Sequence, residues 1–402
     1  MQRLDNARVL MYSHDTFGLG HLRRCRTIAH ALVEEFKGVQ VLIISGSPIA
    51  GAFDFRARVD FVKIPSVIKL YNGEYTSIDR HIDLADTLAM RQSAIMHTAD
   101  TFDPDILIVD KEPMGLKGEL EPTLQMLSER GTWLVLGLRE VMDAPHLLVS
   151  EWQPKNMLAK IEALYDEIWA YGPEDFWNPL HGLPVSEALL QRMFYTGYLR
   201  RSMPATTLVP IQPLGKDYIL VTAGGGGDGA ELMHQVLAAY EHDKELTHPL
   251  VLVLGPFMSS DDRDQLHARA QSLAQVTVID FDNRPEALLD HAAAVVGMCG
   301  YNTFCEVVSF DKRALMVPRV HPREEQLIRA RRAAELGLVD MLLPSDAEDP
   351  ALLAAALRRL PARPKPSEAA GPISLDGLQV ICQRVGILLE SGPHVRLAVA
   401  NT

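Results

Sequence analysis

Cysteine is scarce in this chain: Cys25, Cys299, Cys305 and Cys382 are the only four in 402 residues. They form no C-x-x-C pair, and each sits inside a periodic apolar segment. A disulfide scaffold is thereby excluded, and the thiols are expected to pack. With no secretion signal ahead of the polar N-terminal stretch, the expected compartment is the cytosol. No apolar run approaches the roughly 18 residues that a spanning helix requires, so only peripheral membrane contact stays open. Basic residues are also outnumbered, 39 against 52 acidic, for a net charge of −13. That balance argues against a nucleic-acid partner held through phosphate contacts. Solenoid repeats and low-complexity tracts are absent too.

What is present is an ordinary globular balance, 47% hydrophobic and 23% charged. Since single cores rarely grow much beyond about 250 residues, two lobes are expected. From Arg8 onward, short apolar runs alternate with longer amphipathic ones, the signature of parallel sheets with crossover helices, an α/β architecture. Buried strands are predicted at 9–13, 41–45, 61–64, 106–110, 133–138 and 168–171, each continuous in apolar residues. The clearest helix runs from Gly20 to Phe36. It places Leu22, Cys25, Ala29, Leu32, Val33 and Phe36 on one face, with Arg23, Arg24, Glu34 and Glu35 elsewhere.

Three prolines and no periodicity over 200–216 mark a connector. A second alternation then begins, with strands at 218–222, 250–254, 276–280, 294–297 and 314–317. The expected organisation is one doubly wound domain over 1–203 and another over 204–373. A terminal helix and tail over 374–402 is expected to pack back on the first domain.

Ligands of open parallel sheets bind beyond the carboxyl ends of the strands, which directs attention to the loops there. The first, Ser13 to His21, carries Gly18 and Gly20 for close backbone approach, with His14, Asp15 and His21 as proton-transfer candidates. The second, Ala223 to Gly229, places Gly224, Gly225, Gly226 and Gly227 in succession after a strand. It formally matches G-x-G-x-x-G, yet the next strand ends in Gly255-Pro256 and lacks the acidic residue of a dinucleotide site. The third, Gly297 to Glu306, is a glycine turn opening a helix whose free amides suit a diphosphate, with Gly300, Tyr301, Asn302 and Thr303 at the turn. Glu306 could accept hydrogen bonds from paired ribose hydroxyls. His321, Glu325 and Gln326 follow the next strand, and Asp110 and Glu112 form a further carboxylate loop in the first lobe that could bind an acceptor or serve as base, ranked behind His21. The histidine triplet lacks metal-ligand spacing, and no Asp-x-Asp pair follows a strand, so no cofactor and no essential metal are expected.

At these residues the chain resembles the GT-B glycosyltransferases, in particular the family 28-like branch that contains the peptidoglycan N-acetylglucosaminyltransferase. Gly18-Leu19-Gly20-His21, Gly224 to Gly229 and Cys299 to Glu306 carry the resemblance, together with the strand, loop and Gln326 that follow. It implies two Rossmann-like domains facing across a cleft. The implied reaction is inverting, metal-independent transfer from a nucleotide diphosphate sugar, with UDP as the expected nucleotide, to an acceptor hydroxyl. Glu306 would bind the donor ribose, Gly300 to Thr303 the diphosphate and Gln326 the sugar. Phe281 and Asn283 would flank the base, and His21 would stand at the reacting centre. Glu325-Gln326 replaces the pair of glutamines frequent in that branch. Gly18 to Cys25 also resembles the Gly-x-Gly-His-x-x-Arg-Cys motif of UDP-sugar hydrolases of nonulosonic acid synthesis, where the histidine would activate water. Asp110 and Glu112 are expected on the acceptor side, with the polar insertion Ser66 to Arg91 suited to an acceptor drawn from lipid-linked sugars, polysaccharides or small metabolites. The rival readings are a nucleotide-sugar hydrolase or epimerase of the same fold, in another class an NAD(P)-dependent oxidoreductase, and last a nucleotide-binding regulatory protein without catalysis.

Overall fold

The computed structural model describes residues 6–14, 19–69, 75–77, 81–203, 217–225, 227–282, 285–369, 371 and 373–394. The chain divides into two units. One comprises Met1–Leu199 with Asp376–Thr402, and the other Arg200–Leu375.

Among the described residues, the first unit holds strands β1 (Arg8–Ser13), β2 (Gln40–Ser45), β3 (Val59–Lys63), β4 (Val67–Lys69), β5 (Tyr75–Ser77), β6 (Ile106–Asp110), β7 (Trp133–Arg139), β8 (Glu167–Tyr171) and β9 (Met193–Tyr195). Seven of them form one sheet in the order β3-β2-β1-β6-β7-β8-β9. Every ladder in it is parallel. All five residues of β6 are buried, as a strand covered by helices on both faces requires. Leu10, Leu107, Leu134, Leu136 and Leu138 anchor the core, and each fully buried side chain of this size contributes about 1.5–3 kcal/mol. The pair β4 and β5 is an antiparallel hairpin apart from this sheet. It lies within the stretch expected to be a polar insertion, whose far end, from Leu84, is already the helix Leu84–Phe102.

The helix Gly377–Ser391 belongs to this unit and packs on the helix Gly20–Glu35. Gly377 is required where it starts, because a Cβ there would stand 2.6 Å from the Gly197 carbonyl oxygen. Arg384 pairs with Glu167 and lies 4.0 Å from the centroid of the Phe194 ring. Further on, the Trp133 indole N–H donates to the Gly392 carbonyl at 2.8 Å.

The second unit has β10 (Tyr218–Thr222), β11 (Leu250–Val253), β12 (Val276–Ile279), β13 (Ala292–Gly297), β14 (Arg313–Met316) and β15 (Asp340–Met341). Their order is β12-β11-β10-β13-β14-β15, again parallel throughout. Ile219, Val221, Leu252, Val296 and Leu315 lie at the centre of its core. Both sheets reverse their winding beside the first strand, between β1 and β6 and between β10 and β13, where a crevice at the carboxyl edge receives ligands in doubly wound folds. No helix among the described residues is long and apolar enough to cross a membrane.

Candidate active site

In the first unit, register alone brings the key groups together. Ser13, the last residue of β1, is paired with Asp110, the last of β6. The chain leaving β1 therefore emerges beside the Asp110 carboxylate, and the helix Gly20–Glu35 starts over it. His21 and Arg24 are three residues apart on that helix and so share a face. His21 Nδ1 lies 2.6 Å from Asp110 Oδ2. Arg24 grips the same carboxylate twice, Nε donating to Oδ1 at 3.0 Å and Nη2 to Oδ2 at 2.6 Å.

Burial alone would raise the Asp110 pKa, but the Arg24 guanidinium and the His21 hydrogen bond hold it well below the usual carboxylate range. The expected acceptor-side role of Asp110 does not match this geometry. The residue is only 1% exposed and both carboxylate oxygens are engaged, so it supports His21 from beneath. Arg24 also departs from expectation, being buried with Leu22, Cys25 and Ile28 rather than on the polar side. The His21 side chain is 18% exposed, which leaves the ring in reach of a ligand.

His14, just beyond β1, is buried, with its ring centroid 5.6 Å from that of His21. Burial, only partly countered by Glu112, lowers its pKa from 6.5 to about 3, so the ring is neutral near pH 7. Its Nδ1 is 3.4 Å from the Tyr12 hydroxyl, which donates to Glu119 Oε1 at 2.5 Å. Arg91 completes this buried set, donating to both Glu119 oxygens at 2.6 and 2.7 Å and to the Pro65 carbonyl at 2.6 Å. The network ties β1 to the helix Leu84–Phe102 and to the start of the hairpin, and of its four polar side chains the sequence pointed to His14 but not to Tyr12, Arg91 or Glu119. Glu112 pairs with Lys111 at 3.0 Å. Burial pushes the Glu112 carboxyl up, but the charge and hydrogen bond of Lys111 together with the nearby His14 and His21 outweigh it and keep the group ionised.

The residues of the second unit expected on the donor side follow β10, β12, β13 and β14. Gly224 has φ +59°, a conformation that favours glycine, and a Cβ built there or at Gly300 meets no described atom within 4 Å. Gly225 and Gly227 continue this turn, where the Gly225 carbonyl accepts from the Phe257 N–H at 3.1 Å. Phe281, half-buried, comes just after β12. Asp15, Gly18, Gly226 and Asn283 lie outside the described residues.

The chain leaves β13 through Cys299, at φ +61°, into the helix Tyr301–Ser309, whose N-cap Gly300 makes no side-chain cap. Asn302, Thr303 and Glu306 are buried on its first turns. Arg201 Nη2 donates to Asn302 Oδ1 at 2.8 Å. Arg329, fully buried, donates to the Cys299 carbonyl at 3.0 Å and lies 5.7 Å from the Tyr301 ring centroid. Two loops are thus braced by one helix, Glu325–Glu335, since Gln326 Oε1 accepts from the Arg319 backbone N–H at 3.0 Å. That bond commits the Gln326 carbonyl and leaves its amide nitrogen as the donor. The Arg319 guanidinium is paired with Asp228 of the glycine turn and lies 3.6 Å from buried Glu325. His321, between them in sequence, is exposed. A cavity of about 660 Å³ also exists in this unit, but Asp217, His248, Asp290 and Lys312 line it near the opposite edge of the sheet, away from these loops. Among the described residues no cluster of three or more His, Cys, Asp or Glu side chains could hold a metal ion.

Residues 218–377 match the glycosyltransferase family 28 C-terminal domain. No curated protein matches the chain by sequence. Among solved structures, a UDP-glucosyltransferase from Polygonum tinctorium superposes with a TM-score of 0.63 at 13% identity, covering 96% of this chain and 99% of that one. MurG of Acinetobacter baumannii gives 0.54 at 15% identity, with 96% of each chain covered. A Listeria monocytogenes protein described as a UDP-N-acetylglucosamine 2-epimerase gives 0.60 at 14%, again over 96% of each. At such identities these likenesses establish the fold alone. The chain has the GT-B fold, and residues 218–377 of its second unit match a glycosyltransferase family 28 C-terminal domain.

Proposed function

We propose that the protein moves a sugar from a UDP-sugar to an acceptor hydroxyl with inversion and without a metal ion, using His21 as general base. The observation that carries this reading is the 2.6 Å contact of His21 Nδ1 with Asp110 Oδ2. A neutral imidazole held in that way keeps its proton on Nδ1 and offers the Nε2 lone pair to an incoming hydroxyl. The acceptor oxygen forms a bond to the anomeric carbon, the bond from that carbon to the β-phosphate oxygen breaks, and the hydroxyl proton passes to Nε2. Ionised Asp110 then stabilises the imidazolium.

The departing diphosphate carries the developing negative charge. The positive dipole end at the start of the helix Tyr301–Ser309 supplies dipolar stabilisation for it, the task otherwise given to a cation. Glu306 accepts from the ribose hydroxyls, Phe281 flanks the base, and Gln326 and Glu325 contact the sugar. Replacing His21 with Gln is expected to reduce release of UDP from UDP-N-acetylglucosamine by about 10²–10⁴-fold while UDP affinity barely changes. Full turnover in that variant would remove His21 from the mechanism.

A second reading, hydrolysis of the nucleotide sugar, is favoured by the run Gly18 to Cys25 and by the fact that the same His21 lone pair could activate water. Complete consumption of donor without any added acceptor would select it.

A further inference from the structure

Arg24 is a guanidinium on the apolar face of a helix, only 2% exposed among Leu22, Cys25 and Ile28. Such burial is strongly unfavourable unless the charge is fully met. Here the counter-charge is Asp110, gripped by the fork of Nε and Nη2 on its two oxygens at 3.0 and 2.6 Å. The oxygen taken by Nη2 is also the one that His21 Nδ1 approaches at 2.6 Å, and Nη2 stands 3.3 Å from that ring nitrogen. A guanidinium has donors only. Nδ1 could accept only from Nη2, at the longer 3.3 Å, whereas toward the ionised Asp110 oxygen at 2.6 Å it must donate, so two donors converge on that one carboxylate oxygen.

We infer that Arg24 is a positioning residue for His21: its fork fixes the plane of the Asp110 carboxylate and so holds the His21 ring in a single tautomer, with the proton on Nδ1 and the lone pair on Nε2. The inference deepens the proposed role of His21 and rests on it. A merely structural Arg24 would neutralise Asp110 and nothing more, and a lysine could do that. Lysine lacks the planar fork, however, and would leave the carboxylate free to rotate.

The test uses the full chain with 15N-labelled histidine, comparing wild type with Arg24→Lys, Arg24→Met, the double variant Arg24→Met/Asp110→Asn, and His21→Gln. The wild-type His21 ring should show the 15N pattern of the Nδ1–H tautomer. Arg24→Lys should keep its fold and its UDP affinity, yet show a mixture of tautomers and about tenfold or slower UDP release from UDP-N-acetylglucosamine, in kcat rather than KM. If the Arg24→Met chain fails to fold, the double variant removes both charges together and should fold with the Nδ1–H preference lost. Wild-type tautomer and wild-type kcat in Arg24→Lys, or an unchanged tautomer in the folded double variant, would overturn the inference. Full turnover in His21→Gln would sink the base assignment instead, while the tautomer in Arg24→Lys would still report on Arg24.

Discussion

His21 and Asp110 are 89 positions apart in the chain, yet Nδ1 of one lies 2.6 Å from Oδ2 of the other. The contact follows from two features of the parallel sheet. Strands β1 and β6 are neighbours in register, and the helix entered after β1 begins directly above their carboxyl ends.

Asp110→Asn tests that contact without emptying the site. The asparagine amide can donate to Nδ1, which moves the imidazole proton to Nε2 and removes the lone pair that would meet the acceptor. Turnover is expected to fall by about 10²–10⁴-fold with little change in UDP affinity. An active Asp110→Asn enzyme would show that the carboxylate does not set the tautomer.

Glu306 is expected to act on binding instead of turnover. Glu306→Gln should weaken UDP by about tenfold or more, the scale of one charge-assisted hydrogen bond. The variant and the wild type should then bind 2′-deoxy-UDP with more similar affinities. Equal weakening for both nucleotides would point away from the ribose.

The glycine turn makes a packing prediction. A Cβ at Gly229 would stand 2.1 Å from the Ala223 Cβ and 2.9 Å from its Cα, a clash with backbone that no side-chain rotation relieves. Gly229→Ala should therefore shift the turn, destabilise the second unit by about 1–3 kcal/mol and weaken UDP binding. An unchanged melting temperature would contradict the geometry.

The parts legible in the sequence were those written into local pattern. Ile106 to Asp110 reads as a strand because five successive residues are buried on both faces, and the helix from Gly20 reads from its apolar spacing. Strands β9 and β15 escape because three residues and two residues are too short for any period to emerge. The hairpin of β4 and β5 escapes for the same reason. Arg24 could not be placed by periodicity, which assigns every arginine to the wet face. Its burial depends on Asp110, 86 residues away. Arg91 and Arg329 share this logic, being charged groups made tolerable by Glu119 and by the Cys299 carbonyl. The three candidate loops stand out because strand ends and glycines are visible in sequence, whereas the Asp228 to Arg319 pair joins the second of them to the loop after β14 only in the fold.

Stability should depend on pH through His14. Its pKa is about 3 when folded and near 6.5 otherwise, so between those values the unfolded chain binds the extra proton and the folded chain does not. Stability is then full above about pH 6.5 and falls on acidification, at up to about 1.4 kcal/mol per pH unit from this one group. The depressed pKa of Asp110 acts in the same direction at lower pH, with loss beginning only below about pH 4. In urea titrations, His14→Asn should flatten the curve between pH 4.5 and 6.5, taken as approximate limits. A slope identical to wild type would mean that His14 is not held neutral.

The most direct test of the whole account is calorimetric titration of the full chain with UDP, GDP, TDP and NAD. Selective binding of UDP, retained in His21→Gln and weakened in Glu306→Gln, is the predicted result. Binding of NAD with none of the three nucleoside diphosphates would contradict the assignment of the second unit and of the reaction built on it.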